Sequence, residues 1–286
     1  MTALPPVRRR LVGGALRRYR EDLGYDLDDA ARILDCDRSK ISRIETGQRG
    51  IRNRELRELL TEYGLDKPAQ DVLTAIAAPR GAGAWRRAYD GQLPDVWLDL
   101  MALEATASKI RIYEAQRVPE LLQTQDYAVE AAGPALAAAI VARQEAVLGD
   151  PRREVTVVTG EAALRQVTGG RAVMRGQLAT LAEVSTSLPH MSVRVLPFAR
   201  EVQAAACSFA IFQFAGIPEL GTVCLPGISG PEFLDGEHHV SAYEAAFRKL
   251  RAAALDSRTS VQLITTLAED LSPGMRNPGD QVGDNP

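Results

Sequence analysis

The chain has 286 residues, of which 45% are hydrophobic and 25% charged, and its formal net charge at pH 7 is −3. These values are typical of a globular protein and exclude an intrinsically disordered chain. No apolar run approaches the roughly 18 residues that a membrane-spanning helix requires, so we expect no membrane partner.

The N-terminus and the cysteine content indicate the cellular compartment. Three arginines lie among the first ten residues, but no apolar stretch follows them, which is unlike a secretory signal. Cys36, Cys207 and Cys224 are widely spaced and odd in number, which argues against a disulfide framework or a zinc cluster. We therefore expect a cytoplasmic protein.

Positive charge is concentrated near the start of the chain. Residues 1–60 contain 14 Lys or Arg against 10 Asp or Glu, whereas the remainder contains 20 against 27. Within residues 38–57, seven basic side chains accompany two acidic ones. A local basic patch of this kind indicates a surface that binds a polyanion, although charge alone fits a solvated helical surface equally well.

The first 78 residues predict an all-α domain. Apolar residues repeat with helical spacing in five segments, at about 8–23, 27–34, 38–46, 53–63 and 68–77. Asp26 and Asp29 predict a capping box for the second helix, and Asp37 is the expected N-cap of the third. Gly13 and Gly14 lie inside the first helix, where glycine lowers helix stability, and predict the close approach of another element.

The third predicted helix carries the informative side chains. With successive residues placed 100° apart, Ile41 and Ile44 face inward, and the opposite and flanking sides contain no acid. The side chains there donate hydrogen bonds to phosphates and base edges. These outward residues are Arg38, Ser39, Lys40, Ser42, Arg43 and Thr46. Glu45 lies on the inward flank and needs a buried partner, for which we expect Arg20 in the first helix.

The remainder of the chain predicts an α+β domain. A cluster of glycine and proline after residue 78 indicates a linker over 79–99. Helices and short strands then alternate irregularly over 100–272. Strands are expected at 109–114, 155–158, 191–197, 209–214 and 222–225, the last two joined by a loop that contains Gly216 and Pro218. Helices are expected at about 94–107, 134–148, 161–167, 174–188, 238–254 and 258–271, and residues 118–124 are expected to turn into a helix that runs through Tyr127. The segment 273–286 is rich in Gly, Pro, Asn and Asp and is expected to be disordered.

No pattern of catalytic or metal-binding residues is found. His238 and His239 are adjacent, so on a helix their side chains point about 100° apart and chelate one metal poorly. His190 precedes a strand and has no obvious partner. Ser208 and Ser229 lack the Gly-x-Ser-x-Gly pattern of a hydrolase elbow. We expect no enzyme activity, no metal and no cofactor.

Residues 23–31 and 39–47 resemble the lambda-repressor-like (xenobiotic response element) helix-turn-helix family, and the similarity extends over about 8–65. The resemblance implies that the third helix enters the major groove of double-stranded DNA. Carried over by position, Arg38, Ser39 and Arg43 would read bases, with Lys40 and Ser42 near the DNA backbone. Further phosphate contacts are expected from Arg49, Arg52 and Arg54.

Two other positions matter in this comparison. The family often pairs a first-helix arginine with the glutamate of the third helix, here Arg20 and Glu45. Many members have a polar residue at the position of Leu27, where the second helix meets a phosphate. Leucine lacks that side-chain contact, which leaves only a backbone N–H for it.

The second half of the chain resembles an uncharacterised domain. Residues 103–105, 118–128, 161–165 and 195–198 are similar to a C-terminal domain that follows such helix-turn-helix domains in actinobacterial regulators. Where that domain usually has glycine, this chain has Glu120. The resemblance implies a regulatory or partner-binding role and supplies no catalytic residue.

Together these observations predict a sequence-specific transcriptional regulator that binds DNA as a homodimer, with two third helices about one DNA turn apart. Residues 134–148 and 238–271 are candidate dimer elements. One alternative is an antitoxin-like protein, whose C-terminal domain binds a small partner protein encoded nearby while DNA binding serves autoregulation. Another is a regulator that responds to a small molecule bound in the C-terminal domain.

Overall fold

A computed structural model of the protein describes residues 4–78, 93–201 and 207–272. Most of the predicted linker (79–92) and the segment 273–286 predicted to be disordered lie outside the described residues.

The N-terminal domain consists of five helices. Each begins and ends within two residues of its predicted bounds, which confirms an all-α domain at the start of the chain. The helices are α1 (Val7–Asp22), α2 (Leu27–Ile33), α3 (Arg38–Glu45), α4 (Asn53–Glu62) and α5 (Lys67–Ala77).

Turn chemistry determines where α2 begins. The Asp26 carboxylate accepts hydrogen bonds from the N–H groups of Asp28 and Asp29, and the Asp29 carboxylate accepts one from the Asp26 N–H at 2.8 Å. This is the predicted capping box. Asp37 occupies the predicted N-cap position of α3, but its side chain makes no capping hydrogen bond. The prediction is therefore right for the position and wrong for the capping bond.

Helices α1 and α3 are so close that the backbone of α3 lies directly against Gly13 of α1. A Cβ atom on Gly13 would lie 2.4 Å from the carbonyl oxygen of Ile44 and 2.6 Å from that of Glu45. Backbone atoms in a packed core cannot move aside as a flexible side chain can, so this position requires glycine. A Cβ on the neighbouring Gly14 would meet nothing within 4 Å. The predicted close approach is therefore confirmed at Gly13 alone.

A buried ion pair holds the same two helices together. The guanidinium of Arg20 donates from Nε to Oε1 of Glu45 at 2.7 Å and from Nη2 to Oε2 at 2.8 Å. The two side chains are only 8% and 5% exposed. The third nitrogen, Nη1, donates to the carbonyl oxygen of Tyr25 at 2.7 Å. The hydrogen bond to Glu45 raises the pKa of Arg20, which keeps the guanidinium charged.

The C-terminal domain is built on a six-stranded mixed sheet with the strand order β3-β2-β1-β4-β5-β6. The β1–β2 and β2–β3 pairs are parallel, and the other three pairs are antiparallel. The strands are β1 (Lys109–Glu114), β2 (Glu154–Gly160), β3 (Met191–Leu196), β4 (Phe209–Phe214), β5 (Ile217–Leu225) and β6 (Glu232–Asp235).

Helices connect these strands and cover the sheet, which confirms the α+β class. They are α6 (Asp95–Thr106), α7 (Gln125–Ala132), α8 (Pro134–Leu148), α9 (Glu161–Arg165), α10 (Gly170–Ser187), α11 (Glu237–Ala253) and α12 (Ser257–Asp270), with a short 3₁₀ helix at Glu120–Leu122. The segment 118–124, expected to turn into a helix that runs through Tyr127, contains this 3₁₀ helix, and α7 follows it.

The antiparallel half of the sheet differs most from prediction. The expected loop before residue 222 is instead a tight hairpin turn, in which Gly216 has φ +75° and Phe214 pairs with Ile217. Strand β5 includes Pro218, which has no backbone N–H to donate to a neighbouring strand. The strand tolerates it because the β4–β5 pairing is irregular next to Phe214. Strand β6, only four residues long, was not predicted.

Other elements hydrogen-bond backbone groups at both outer edges of the sheet. At β3, the Val195 N–H donates to the hydroxyl of Ser260 at 3.0 Å, and the Val195 carbonyl accepts from the Leu255 N–H at 2.9 Å. At β6, the carbonyl of Phe233 accepts a hydrogen bond from the guanidinium of Arg10 at 3.2 Å. Groups from other elements therefore occupy both edges.

Helix α1 also connects the two domains. Arg8 donates from Nε to Asp99 of α6 at 2.6 Å and from Nη1 to the carbonyl oxygen of Ala78 at 2.6 Å. Arg10 donates from Nε to Asp235 at the end of β6 at 2.9 Å. Two arginines on nearly opposite sides of α1 therefore bind the N-terminal domain to the C-terminal domain.

A charged cluster lies inside the C-terminal domain. Arg143 of α8 is bonded to Glu120, and its Nε lies 3.5 Å from Oε2 of Glu104 on α6. Arg153 donates to the carbonyl oxygens of Glu104 and Ala105. Burial raises the pKa of Glu104 to about 7, an effect that the charge of Arg143 reduces.

The two adjacent glycines of α1 offer a matched pair of substitutions. We expect Gly13→Ala to lower the free energy of unfolding by about 1–3 kcal/mol, because its methyl group overlaps the α3 backbone. Gly14→Ala should raise it by about 0.5–1 kcal/mol, because alanine favours the helix and meets no atom. Chemical denaturation of both variants measures this difference, and equal effects would contradict the close contact.

Loss of the buried arginine should be costly. Arg20→Met leaves the Glu45 carboxylate buried without its partner, and we expect a decrease of about 3–5 kcal/mol in the free energy of unfolding. The double variant Arg20→Met/Glu45→Leu should recover much of this loss, because no uncompensated charge remains. A double variant as unstable as the single one would show that the ion pair is not the cause.

The Glu104 carboxyl should make stability depend on pH. Its pKa is about 7 in the folded chain against an ordinary value near 4.5, so the folded state holds a proton that the unfolded state has lost. The free energy of unfolding should therefore fall as pH rises from about 4.5 to 7, by no more than about 3 kcal/mol. Denaturation from pH 4.5 to 8 should show this loss relative to Glu104→Gln, and parallel curves for the two proteins would refute it.

Candidate nucleic-acid interface

Helices α2 and α3 and the turn between them form the candidate site. The turn is closed by a hydrogen bond of 3.0 Å from the Cys36 N–H to the Ala31 carbonyl oxygen, and Asp35 in it has φ +44°. Ile41 and Ile44 on the inner side of α3 are buried against the rest of the domain. The outer side of this short helix faces away from the core.

Three side chains that the sequence placed outward share this exposed face. Arg38, Ser39 and Arg43 are exposed, the Arg38 side chain by 64%. Arg43 donates from Nε to the Ser39 carbonyl oxygen at 3.1 Å, and its Nη2 lies 3.4 Å from the Ser39 hydroxyl. A guanidinium has five N–H donors, so most of those on Arg43 remain available to an acceptor outside the protein. Thr46, also exposed, donates to the Ser42 carbonyl oxygen at 2.9 Å.

Lys40 and Ser42 lie elsewhere than the helical projection suggested. The Lys40 ammonium is 2.9 Å from the Glu55 carboxylate of α4, and the two side chains are 18% and 20% exposed. Ser42 is half-buried. The projection considered α3 alone, whereas α4 packs along this flank and neutralises the lysine. The expectation that Lys40 faces outward is corrected.

The N-terminus of α2, where the sequence leaves a backbone N–H for a phosphate, is capped by Asp26. The Leu27 side chain is half-buried and packs on the core. The Asp26 carboxylate occupies the N–H groups of Asp28 and Asp29, and the hydrogen bond from Asp29 lowers the pKa of Asp26. The Asp26 carboxylate therefore favours its charged form at the start of α2, which opposes the approach of a phosphate to the N–H groups of Asp28 and Asp29.

Asp28 also contacts the exposed face of α3. Its carboxylate lies 3.5 Å from Nη1 of Arg38, and both side chains are more than half exposed. An exposed pair of this kind is worth less than about 1 kcal/mol, so a phosphate or a base edge can replace the carboxylate. The Asp28 carboxylate therefore holds Arg38 near its position but leaves its guanidinium exposed to an outside acceptor.

A second group of arginines follows α3. The Arg49 N–H donates to the Arg43 carbonyl oxygen at 2.9 Å, which places this segment directly behind the end of α3. Arg52 occupies the N-cap position of α4 and makes no capping hydrogen bond through its side chain. All the arginines of this segment are exposed, and none forms an ion pair with another residue that the structure describes. They are Arg49, Arg52, Arg54 and Arg57.

Not all of the basic residues of the first 60 positions are available to a ligand, because several are held in ion pairs. Arg8 and Arg10, which contribute to the positive charge of this segment, are held by the C-terminal domain. No local pattern distinguishes them in the sequence, because their partners Asp99 and Asp235 are 91 and 225 residues away. Among these positions, the arginines that are exposed and form no ion pair with a described residue are Arg9 of α1, Arg43 of α3 and the four arginines of 49–57.

The histidines occupy separate surroundings. His190, for which the sequence suggested no partner, has Nε2 at 2.9 Å from the carbonyl oxygen of Leu148. The rings of His238 and His239 lie 3.8 Å apart. Within 4–78, 93–201 and 207–272, no three metal-ligating side chains are grouped. Over the same residues, no helix is both long and apolar enough to cross a membrane.

Two comparisons agree with this geometry. Residues 11–73 match a family described as a helix-turn-helix domain, which spans all but the ends of the five-helix domain. Residues 97–266 match a family described as a domain of unknown function (DUF5753). Neither a curated protein nor a solved structure shows significant similarity to the chain. Because the second match covers more than half of the sequence, the chain belongs to the family of proteins with a DUF5753 domain, preceded here by a helix-turn-helix domain.

Proposed function

We propose that the protein is a sequence-specific transcriptional regulator of the lambda-repressor-like (xenobiotic response element) type, as found in actinobacteria. It acts in the cytoplasm without catalysis of its own, and α3 enters the major groove of double-stranded DNA. The observation that carries this proposal is the exposed face of Arg38, Ser39 and Arg43 on α3, the second of the two helices that form the helix-turn-helix motif.

Each residue of the face has a distinct role in the proposal. Arg43 and Arg38 present planar forks of donors that match the acceptors of guanine, and Ser39 donates or accepts at a neighbouring base edge. Thr46, Arg49, Arg52, Arg54 and Arg57 contact phosphates and fix the register of the domain along the duplex. Lys40 has no DNA contact in the proposal, because it is half-buried and already paired with Glu55.

The short length of α3 favours a homodimer. Helix α3 has eight residues, so it is about 12 Å long and spans only a few base pairs. Two copies on successive major grooves double the sequence that is read and impose a pseudo-palindromic operator. The C-terminal domain, fastened to α1 by Arg8 and Arg10, then positions the two DNA-binding domains.

Alanine substitution of Arg43 tests the assignment. We expect Arg43→Ala to weaken binding to the operator in the protein's own promoter by about 1–3 kcal/mol, with little change on scrambled DNA. The matched control is Arg57→Ala, which removes a phosphate contact, weakens binding to both DNAs alike and reduces the salt dependence. Both are measured by fluorescence anisotropy across a salt series. Equal affinity of wild type and Arg43→Ala for the operator would overturn the proposal that α3 reads sequence.

A further inference from the structure

A cleft separates α1 from the edge of the C-terminal sheet. Its volume is about 240 Å³, larger than the cavity of about 150 Å³ that accommodates benzene in a protein core. One wall consists of Leu11, Gly14 and Ala15 on α1, and the opposite wall includes Ile217 and Leu220 of β5. The cleft therefore has an apolar interior and lies between the two domains.

Two polar contacts cross between the walls. Arg10 binds Asp235 through Nε at 2.9 Å, and the hydroxyl of Tyr19 donates to Oε1 of Glu219 at 3.1 Å. Burial and the charge of Glu219 raise the pKa of Tyr19 to about 12, so the hydroxyl keeps its proton. Residues 10 and 19 are about 13 Å apart along α1, which places these contacts toward opposite ends of the cleft.

The charges that border the cleft do not balance. Asp235 is neutralised by Arg10, but no described cation pairs with the carboxylates of Glu219 or Glu237, which also border it. The remaining cation at the border, Arg18, is directed toward the carboxylate of Asp22, 3.9 Å away. An occupant with a positive charge would therefore meet two carboxylates that have no ionic partner within the described residues.

Gly14 keeps the cleft open on the side of α1. Glycine inside a helix costs about 0.5–1 kcal/mol relative to alanine. Gly13 compensates for this cost by admitting the backbone of α3, but nothing within 4 Å of Gly14 requires the space. Gly14 borders the cleft, so the absence of its side chain leaves room for a molecule that is not part of the chain.

We propose that this cleft is an effector site for a small organic amine with an apolar body of about ten non-hydrogen atoms. The apolar body lies between Leu11, Ala15 and Leu220, and the ammonium group is directed to Glu219 and Glu237. Because the walls belong to different domains, the amine binds one relative arrangement of the domains better than others and changes DNA affinity accordingly. This regulatory part rests on the proposed DNA-binding function, and it places the small-molecule site between the domains instead of within the C-terminal one.

The full-length protein tests the site by calorimetric titration with three probes of nearly equal shape. These are 2-phenylethylamine, which is cationic, 2-phenylethanol, which is neutral, and phenylacetate, which is anionic. We expect the amine to bind at least tenfold more tightly than either of the others. Amine affinity within threefold of the alcohol would overturn the proposal, because the two carboxylates would then contribute nothing.

Two substitutions localise the binding. Gly14→Leu fills the cleft with a helix-favouring side chain and should abolish amine binding. Gly176→Leu is the matched control, because Gly176 is an exposed glycine of α10 with nothing within 4 Å of its Cβ position. If Gly14→Leu alters the far-UV circular dichroism, Glu237→Gln supplies the test, with a loss of at least fivefold in amine affinity. Unchanged amine binding in both Gly14→Leu and Glu237→Gln would place the amine elsewhere and overturn the site.

DNA affinity distinguishes the site from the proposed function. Saturating amine should change the dissociation constant for promoter DNA at least threefold in wild type and leave it unchanged in Gly14→Leu. Amine binding without any effect on an otherwise specific DNA complex would overturn the effector role. Amine binding in a protein that does not distinguish its promoter from scrambled DNA would overturn the proposed function and leave the cleft as a binding site.

Discussion

The candidate DNA-binding surface depends on the close contact between α1 and α3. Helix α3 has only eight residues, too few for an isolated helix to be stable in water. Its position therefore comes from its neighbour. The carbonyl groups of Ile44 and Glu45 lie against Gly13, and the bidentate bond from Arg20 to Glu45 holds the same end of the helix. These two contacts set the direction in which the exposed arginines point.

Helix α1 serves both domains, and its two sides have different partners. One side accommodates the backbone of α3, while Arg10 and Tyr19 reach the antiparallel half of the C-terminal sheet. Helix α1 therefore contacts both the C-terminal sheet and the helix that carries the exposed arginines. The cleft lies between α1 and this half of the sheet, whereas at the opposite edge Val195 of β3 is hydrogen-bonded by Leu255 and Ser260.

Local patterns in the sequence were sufficient for most elements and for one tertiary contact. Helical periodicity located the five N-terminal helices, and the isolation of Glu45 on an apolar flank pointed to Arg20. Packing between distant elements was beyond such reasoning. Lys40 faced outward in projection, but α4 lies along it and supplies Glu55. Strand β6 is only four residues long and is defined by its pairing with β5, while Arg8 and Arg10 have partners that only the folded chain brings near.

Hydrogen bonds that other elements make to the edge strands of the sheet limit how two chains can associate. At β3 the backbone of Val195 is hydrogen-bonded by the turn and helix that follow α11, and at β6 the carbonyl of Phe233 is hydrogen-bonded by Arg10. A strand of a second copy that paired at either border would first have to displace these hydrogen bonds. Occupied edge groups of this kind also oppose edge-to-edge aggregation.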